Sequence, residues 1–146
     1  MVTMRPNGLR NSCCRPPSGV PGQALFPSGD DAPGAARRFA LEVLAQDAPD
    51  LAESTCEDVR LIVSELVTNA YRYGTEPGDS VLVVVSVAAE LVRVEVHDPR
   101  RKRPAYKPES DERGRGRGLF IVEALAADWG VDDRPFGKVV WSEVAR

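Results

Sequence analysis

Glu65 and Asn69 stand four residues apart in the segment ELVTNAYRYG. At about 100° per residue they fall one helical turn apart, on one flank of an apolar stripe made by Val59, Ile62, Val63, Leu66, Val67 and Ala70. A carboxylate and an amide so placed can accept a proton and offer one oxygen to a hard cation such as Mg²⁺, which takes few protein ligands because phosphates and water fill the rest. The same spacing also fits a solvated polar pair. Asp98 closes the run VEVHDP, where a carboxylate facing Pro99 equally suits a turn cap. Gly114, Gly116 and Gly118 in RGRGRGLFIVEAL abut a helix start, where unpaired amide groups and the helix dipole meet an anion. A flexible basic loop has the same composition.

The elements that must hold these residues can be read from periodicity. A short strand is expected at Gln23 to Phe26, followed by a helix capped by Asp30 or Asp31, with Pro33 in its first turn and Ala36, Phe39, Ala40, Val43 and Leu44 at helical spacing. That helix should stop near Pro49. The helix bearing Glu65 and Asn69 should end at Gly74. Val81 to Val87 and Leu91 to His97 are β-branched runs that predict an antiparallel hairpin. Pro99 to Gly118 is rich in Pro, Gly and charge, a long loop and hence a lid candidate. Leu119 to Ala127 predicts a helix, and Trp129 to Asp132 with Lys138 to Val144 a closing hairpin turned at Pro135 to Gly137. Residues 1 to 22 show no pattern able to bury a face and are expected to form a flexible tail before a domain of residues 23 to 146.

Length and composition narrow the function classes. A chain of 146 residues with 42% hydrophobic content supports one core, and its apolar runs are too short to cross a bilayer, so a soluble protein without membrane partners is expected. Three cysteines, two of them adjacent at Cys13 and Cys14, fit neither a disulfide framework nor a metal site. Together with an N-terminus lacking an apolar signal stretch, they predict a cytoplasmic location. The net charge of −3 argues against a general nucleic-acid binder. Between Arg100 and Arg117, however, eight basic residues face three acidic ones, a local charge of +5. Trp129 and Trp141 lie outside that segment and read as packing residues, and His97 lies on the solvent-alternating side of its strand.

Four boxes stand in order along the chain: ELVTNAYRYG (Glu65 to Gly74), VEVHDP (Val94 to Pro99), GRGL (Gly116 to Leu119) and GKVVWSEV (Gly137 to Val144). Together they resemble the boxes of the GHKL ATP-binding superfamily over about residues 23 to 146. Within it, size and wording are most similar to the actinobacterial RsbW-like anti-sigma-factor serine/threonine kinases. The resemblance implies a Bergerat-type fold, a two-layer α/β sandwich of a mixed, mainly antiparallel sheet with helices on one face. It implies ATP and Mg²⁺ as cofactors, with Asn69 holding the metal, Glu65 as general base and Asp98 accepting a hydrogen bond from the adenine amino group. Gly116, Gly118 and Leu119 would lie at the nucleotide, the two glycines letting the lid close on phosphate.

The implied function is to bind a sigma factor or similar regulator and to phosphorylate a small anti-anti-sigma-type antagonist protein. A homodimer is among the assemblies the resemblance allows. The alternative is a catalytically weak or inactive nucleotide-responsive protein-binding module. Three departures bear on this. Asp98 is followed by Pro99, Arg100, Arg101 and Lys102 where the family has Asp-x-Gly-x-Gly, Tyr73 replaces a common His, and Val139 stands where a Thr often supplies a hydroxyl near the adenine.

Overall fold

The computed structural model describes residues 21–100 and 117–146, with side chains from Leu119 onward in the second stretch. Residues 1–20 of the expected tail and the middle of the expected lid lie outside the described residues, while Gly22, expected in the tail, already belongs to the first strand. The elements run β1 (Gly22–Pro27), α1 (Ala32–Asp47), α2 (Glu53–Asn69), a π-helical turn (Ala70–Gly74), β2 (Ser80–Val87), β3 (Leu91–Asp98), α3 (Arg117–Leu125), β4 (Asp128–Arg134) and β5 (Gly137–Ala145). Five strands form one sheet in the order β1-β2-β3-β5-β4, and all four pairings are antiparallel. This is the two-layer α/β arrangement that the resemblance implies, with every pairing among the described strands antiparallel where a mixed sheet is expected.

Period-two alternation decides which face of the sheet meets the helices. Val81, Val83, Val85 and Val87 of β2 and Val92, Val94 and Val96 of β3 all point inward and are buried, as are Val140 and Val144 of β5. The helices supply the opposing stripe: Val59, Ile62, Val63, Leu66 and Val67 from α2, and Ala32, Ala36, Ala40 and Leu44 from α1. Alanine at every fourth position of α1 keeps that face narrow, so α1 lies close along α2. Phe39 fills the remaining gap by a tilted contact with Phe26, ring centres 5.8 Å apart. Arg37 crosses between the helices and donates to Ser64 Oγ at 2.8 Å.

Several boundaries differ from the sequence expectations. β1 begins at Gly22 because that residue already pairs with Val85. Asp31 occupies the N-cap of α1 but makes no side-chain cap bond. Asp30 is committed elsewhere, its Oδ1 accepting from the Tyr71 hydroxyl at 2.6 Å. The second helix reaches Gly74 as expected, yet it widens to π geometry after Asn69. The third stops at Leu125, since the Ala127 N–H turns to the Glu143 carbonyl and leads into β4.

Among the described residues no helix covers the outer face of the sheet, which carries an ion-pair ladder. Arg93 lies over the Trp141 ring at 4.5 Å and binds Glu95 at 2.9 Å and Glu143 at 3.2 Å, and His97 bonds Glu95 at 2.9 Å. The two tryptophans are packing residues, as expected, with Trp129 buried and its indole N–H donated to Glu123. Among the described residues no helix is long and apolar enough to cross a membrane. The His97 and Arg93 bonds hold the Glu95 carboxyl down from its ordinary 4.5 to about 2, against the opposing effect of burial. A carboxyl depressed in the folded state stabilises the fold above its unfolded value and loses that contribution as pH falls through its folded value. Glu95→Gln should therefore cost on the order of 2 kcal/mol at pH 7. Urea midpoints measured from pH 7 to pH 2 should show the gap to wild type closing between about pH 4.5 and pH 2.

Candidate nucleotide site

The end of α2 carries a polar flank beside its buried stripe: Ser64, Glu65, Thr68 and Asn69 are half-buried while Ile62, Val63, Leu66, Val67 and Ala70 are buried. Glu65 and Asn69 thus share one side, a turn apart, as the spacing predicts. Burial pushes the Glu65 carboxyl above its ordinary 4.5, opposed by the positive charge of Arg72. A carboxyl in such a setting is a better proton acceptor than one in water. The Asn69 Nδ2 is buried and has no hydrogen-bond partner among the described residues. A buried amide donor left unmatched marks a place where an absent group would complete the bonding.

Asn69 sits where the helix changes from α to π geometry, a local widening that recurs at functional sites. The π turn is held from outside by a short chain of bonds. Thr75 Oγ1 donates to the Tyr71 carbonyl at 2.8 Å and meets Ser28 Oγ at 2.6 Å, while the Tyr71 hydroxyl reaches Asp30. The β1–α1 connection is therefore clasped to the turn that follows Asn69.

Gly74 ends this turn directly against β3. A side chain there would place its Cβ 2.5 Å from Asp98 Cγ and 2.6 Å from Oδ2, a distance real carbons do not adopt. Only glycine lets the end of the α2 segment approach the Asp98 carboxylate. This contact joins the two boxes that carry Asn69 and Asp98.

The Asp98 side chain is 2% exposed and forms an ion pair with Lys138 Nζ at 2.9 Å, itself 5% exposed. Arg100 N–H donates to the same Oδ1 at 2.9 Å, and Lys138 Nζ also donates to the Arg100 carbonyl at 2.8 Å. Arg100 in turn reaches back to the Tyr73 carbonyl at 3.1 Å. Burial pushes the Asp98 carboxyl above its ordinary 3.8, and Lys138 and Arg100 pull the other way. Arg100 thus closes the turn after Asp98 where the resembled pattern has glycine. Gly137, one residue before Lys138, completes the junction: a Cβ there would lie 1.9 Å from the Asp98 carbonyl oxygen.

Strand register corrects the expectation for Val139. Asp98 pairs with Lys138 and His97 with Val139, so Lys138 shares the face of Asp98 and Val139 points to the opposite side of the sheet. Val139 is buried there and stands apart from the Asp98 side chain. Lys138 and Arg100 are the residues that sequence reasoning passed over as candidates. The signal for Lys138 was its alternation with Val140, Ser142 and Val144, which puts a lysine in the inward row. On the far side of the site Gly118 falls in the first turn of α3, which packs against α2 through the buried Leu119 and Val122. Gly116 lies outside the described residues. His97 is on the outer face, as its alternation predicts.

The profile of the histidine kinase-like ATPase domain matches residues 26–143, nearly the whole described fold. The chain belongs to this family. It is thereby a member of the GHKL superfamily, to which the sequence boxes bear resemblance, and its fold is that of an ATP-binding domain. Among solved structures it is similar to the histidine kinase domain from the Erythrobacter litoralis EL346 blue-light activated histidine kinase, with a TM-score of 0.52 and 22% identity. The match covers 82% of this chain and 64% of that one, so the chain spans less than two thirds of the kinase domain it resembles in fold. No curated protein matches the chain at a significant level.

The contact between Gly74 and Asp98 gives this histidine kinase-like ATPase domain a sharp test. Gly74→Ala should destabilise the fold by about 1–3 kcal/mol, because the methyl group must displace a buried ion pair, and should also weaken Mg·ATP binding. Urea unfolding and calorimetric titration would check both.

Proposed function

We propose that this domain is an ATP-binding regulatory protein of the RsbW-like anti-sigma-factor kinase type, which binds a sigma factor or similar regulator and phosphorylates a serine or threonine of a small antagonist protein. The observation that carries the reading is the buried amide of Asn69, without a partner among the described residues, one turn beyond a carboxyl whose proton affinity is raised by burial. These residues fit a site for Mg·ATP: the Asn69 side-chain oxygen suits a hard cation, and the missing side chain of Gly74 lets the end of the α2 segment close onto the Asp98 carboxylate. Bound Mg²⁺ would neutralise charge on the phosphates.

Glu65 then acts on the protein substrate. Its carboxylate accepts the proton of the substrate hydroxyl as the hydroxyl oxygen bonds to the γ-phosphorus. The bond from that phosphorus to the bridging oxygen breaks, and ADP carries away the electron pair. Such a transfer depends mainly on position and charge, so a single well-placed carboxylate suffices. Asp98 reads the adenine amino group, Gly118 and Leu119 at the start of α3 border the phosphates, and the family pattern assigns Gly116 to the same group. The basic stretch from Arg100 to Arg117 offsets phosphate charge.

A second reading, the nucleotide-responsive binding module, is favoured by one specific observation. Asp98 is already engaged by Lys138 and Arg100 where the family pattern has flexible glycines. Labelled γ-phosphate separates the two readings. Glu65→Ala should keep ATP affinity within a small factor and abolish labelling of partner proteins captured from the native cell, whereas Asn69→Ala should also lose Mg²⁺-dependent binding. Failure of the wild type to label any captured partner would favour the module.

Ligand linkage offers an independent check, because a ligand selective for the native state raises its stability. Mg·ATP at about one hundred times its dissociation constant should stabilise the domain by about 2.7 kcal/mol, read as a rise in thermal midpoint that EDTA reverses.

A further inference from the structure

Two points of the site depend on one turn of helix. Asn69 carries the buried amide donor without a partner among the described residues, and Gly74 brings the backbone against Asp98, where a Cβ would lie 2.5 Å from Cγ. They stand five residues apart, the span that a single π turn closes. An α-helical turn over the same residues is narrower, so the chain can return to it only by moving Asn69 or by pulling Gly74 off Asp98. The π form is the rarer geometry and needs support from outside the helix. Tyr71, inside the turn, supplies it twice. Its carbonyl accepts from Thr75 Oγ1 at 2.8 Å, and that oxygen also meets Ser28 Oγ at 2.6 Å. Its phenol donates to Asp30 Oδ1 at 2.6 Å. Ser28 and Asp30 belong to the β1–α1 connection, and the Ser28 N–H is anchored on the Asp79 carbonyl at 2.9 Å, one residue before β2. One residue of the turn is thereby fastened, through backbone and side chain, to a connection rooted in the sheet.

We propose that Tyr71 is a positioning residue for Mg·ATP: its phenol bond to Asp30 holds the π turn, and with it the place of the Asn69 side chain relative to the Gly74–Asp98 junction. The inference rests on the reading of the site as one for Mg·ATP. The bond to Asp30 lies at the surface, where a single hydrogen bond adds little to the cohesion of the fold. A phenylalanine would offer the same ring. What the hydroxyl contributes is a fixed point, and a metal-binding amide must be held within a fraction of an ångström to meet a nucleotide-bound cation. Tyr71 touches neither metal nor nucleotide in this account and acts through Asn69.

The test titrates ATP into the full chain with Mg²⁺ and in EDTA, and follows amide hydrogen exchange of the nucleotide-free protein. Tyr71→Phe should weaken Mg·ATP about fivefold, leave ATP in EDTA within about twofold, and speed exchange from Ala70 to Gly74 before any nucleotide is added. Asp30→Ala removes the same bond from its other end, should have the same effects, and serves if the phenylalanine variant does not fold. Combining the two should change nothing further, as one shared bond requires. Asp30→Asn, which keeps an acceptor for the phenol, should restore most of the Mg·ATP affinity. In an Asn69→Ala background, Tyr71→Phe should leave the remaining ATP affinity unchanged. A general loosening of the fold would weaken ATP alike with and without Mg²⁺. That outcome, or wild-type Mg²⁺ dependence in a folded Tyr71→Phe chain, would overturn the proposal while leaving the nucleotide site standing. Failure of the wild type to bind ATP under either condition would overturn the nucleotide reading and the proposal together.

Discussion

A carboxylate can be buried at the end of a strand only where a cation meets it and nothing bulky crowds it. Asp98 satisfies both conditions, with Lys138 at 2.9 Å on one side and the bare Cα of Gly74 on the other. Much of the site follows from this arrangement. β5 must pair with β3 in the register that sets Lys138 opposite Asp98, and the α2 segment must end on a residue without a side chain. The backbone after Asp98 is held too, because Arg100 binds the carboxylate, Lys138 and the Tyr73 carbonyl at once. Sheet, helix end and strand exit are therefore locked at one point.

That lock leaves the preceding turn of helix with a different character. Up to Asn69 the chain is ordinary α-helix pinned by a fully apolar stripe, and beyond it the five residues to Gly74 adopt the wider π turn. The apolar side contributes cohesion, roughly 1.5–3 kcal/mol for each fully buried large side chain. The polar side contributes little cohesion and keeps Glu65 and Asn69 at the boundary between core and solvent. One helix thus combines a rigid back with a chemically open flank, the arrangement in which functional groups are held most accurately.

Most of the fold was legible because its elements are strongly periodic. The valines of β2 and β3 and the stripe of α2 fall where period two and period 3.6 put them. What escaped were features set by tertiary pairing. Whether Asp30 caps a helix or binds Tyr71 is decided by a residue 41 positions away. The π turn has no sequence period of its own. The site was legible in part: Glu65, Asn69 and Asp98 were named from type and spacing, and the structure brings the segment of Asn69 onto Asp98 through Gly74. Lys138 was overlooked because a lysine is read as exposed by default, although its place in the inward row of β5 was visible. Arg100 was read as one charge among many in a basic stretch, where its backbone N–H and carbonyl prove as important as its guanidinium.

Among the described residues the order β1-β2-β3-β5-β4 places β1 at an edge of the sheet, and an edge with an unpaired side is a template for unwanted pairing between molecules. The β1 edge is blunted. β1 is short and closes on Pro27, which has no amide proton to offer a neighbouring strand. The face of the sheet turned away from the helices is interrupted by Arg93, Glu95 and His97, which break up its apolar surface. Growth of the sheet by strand addition at β1 is thereby disfavoured, and association on that side falls to side chains, which can be tuned residue by residue without disturbing the fold.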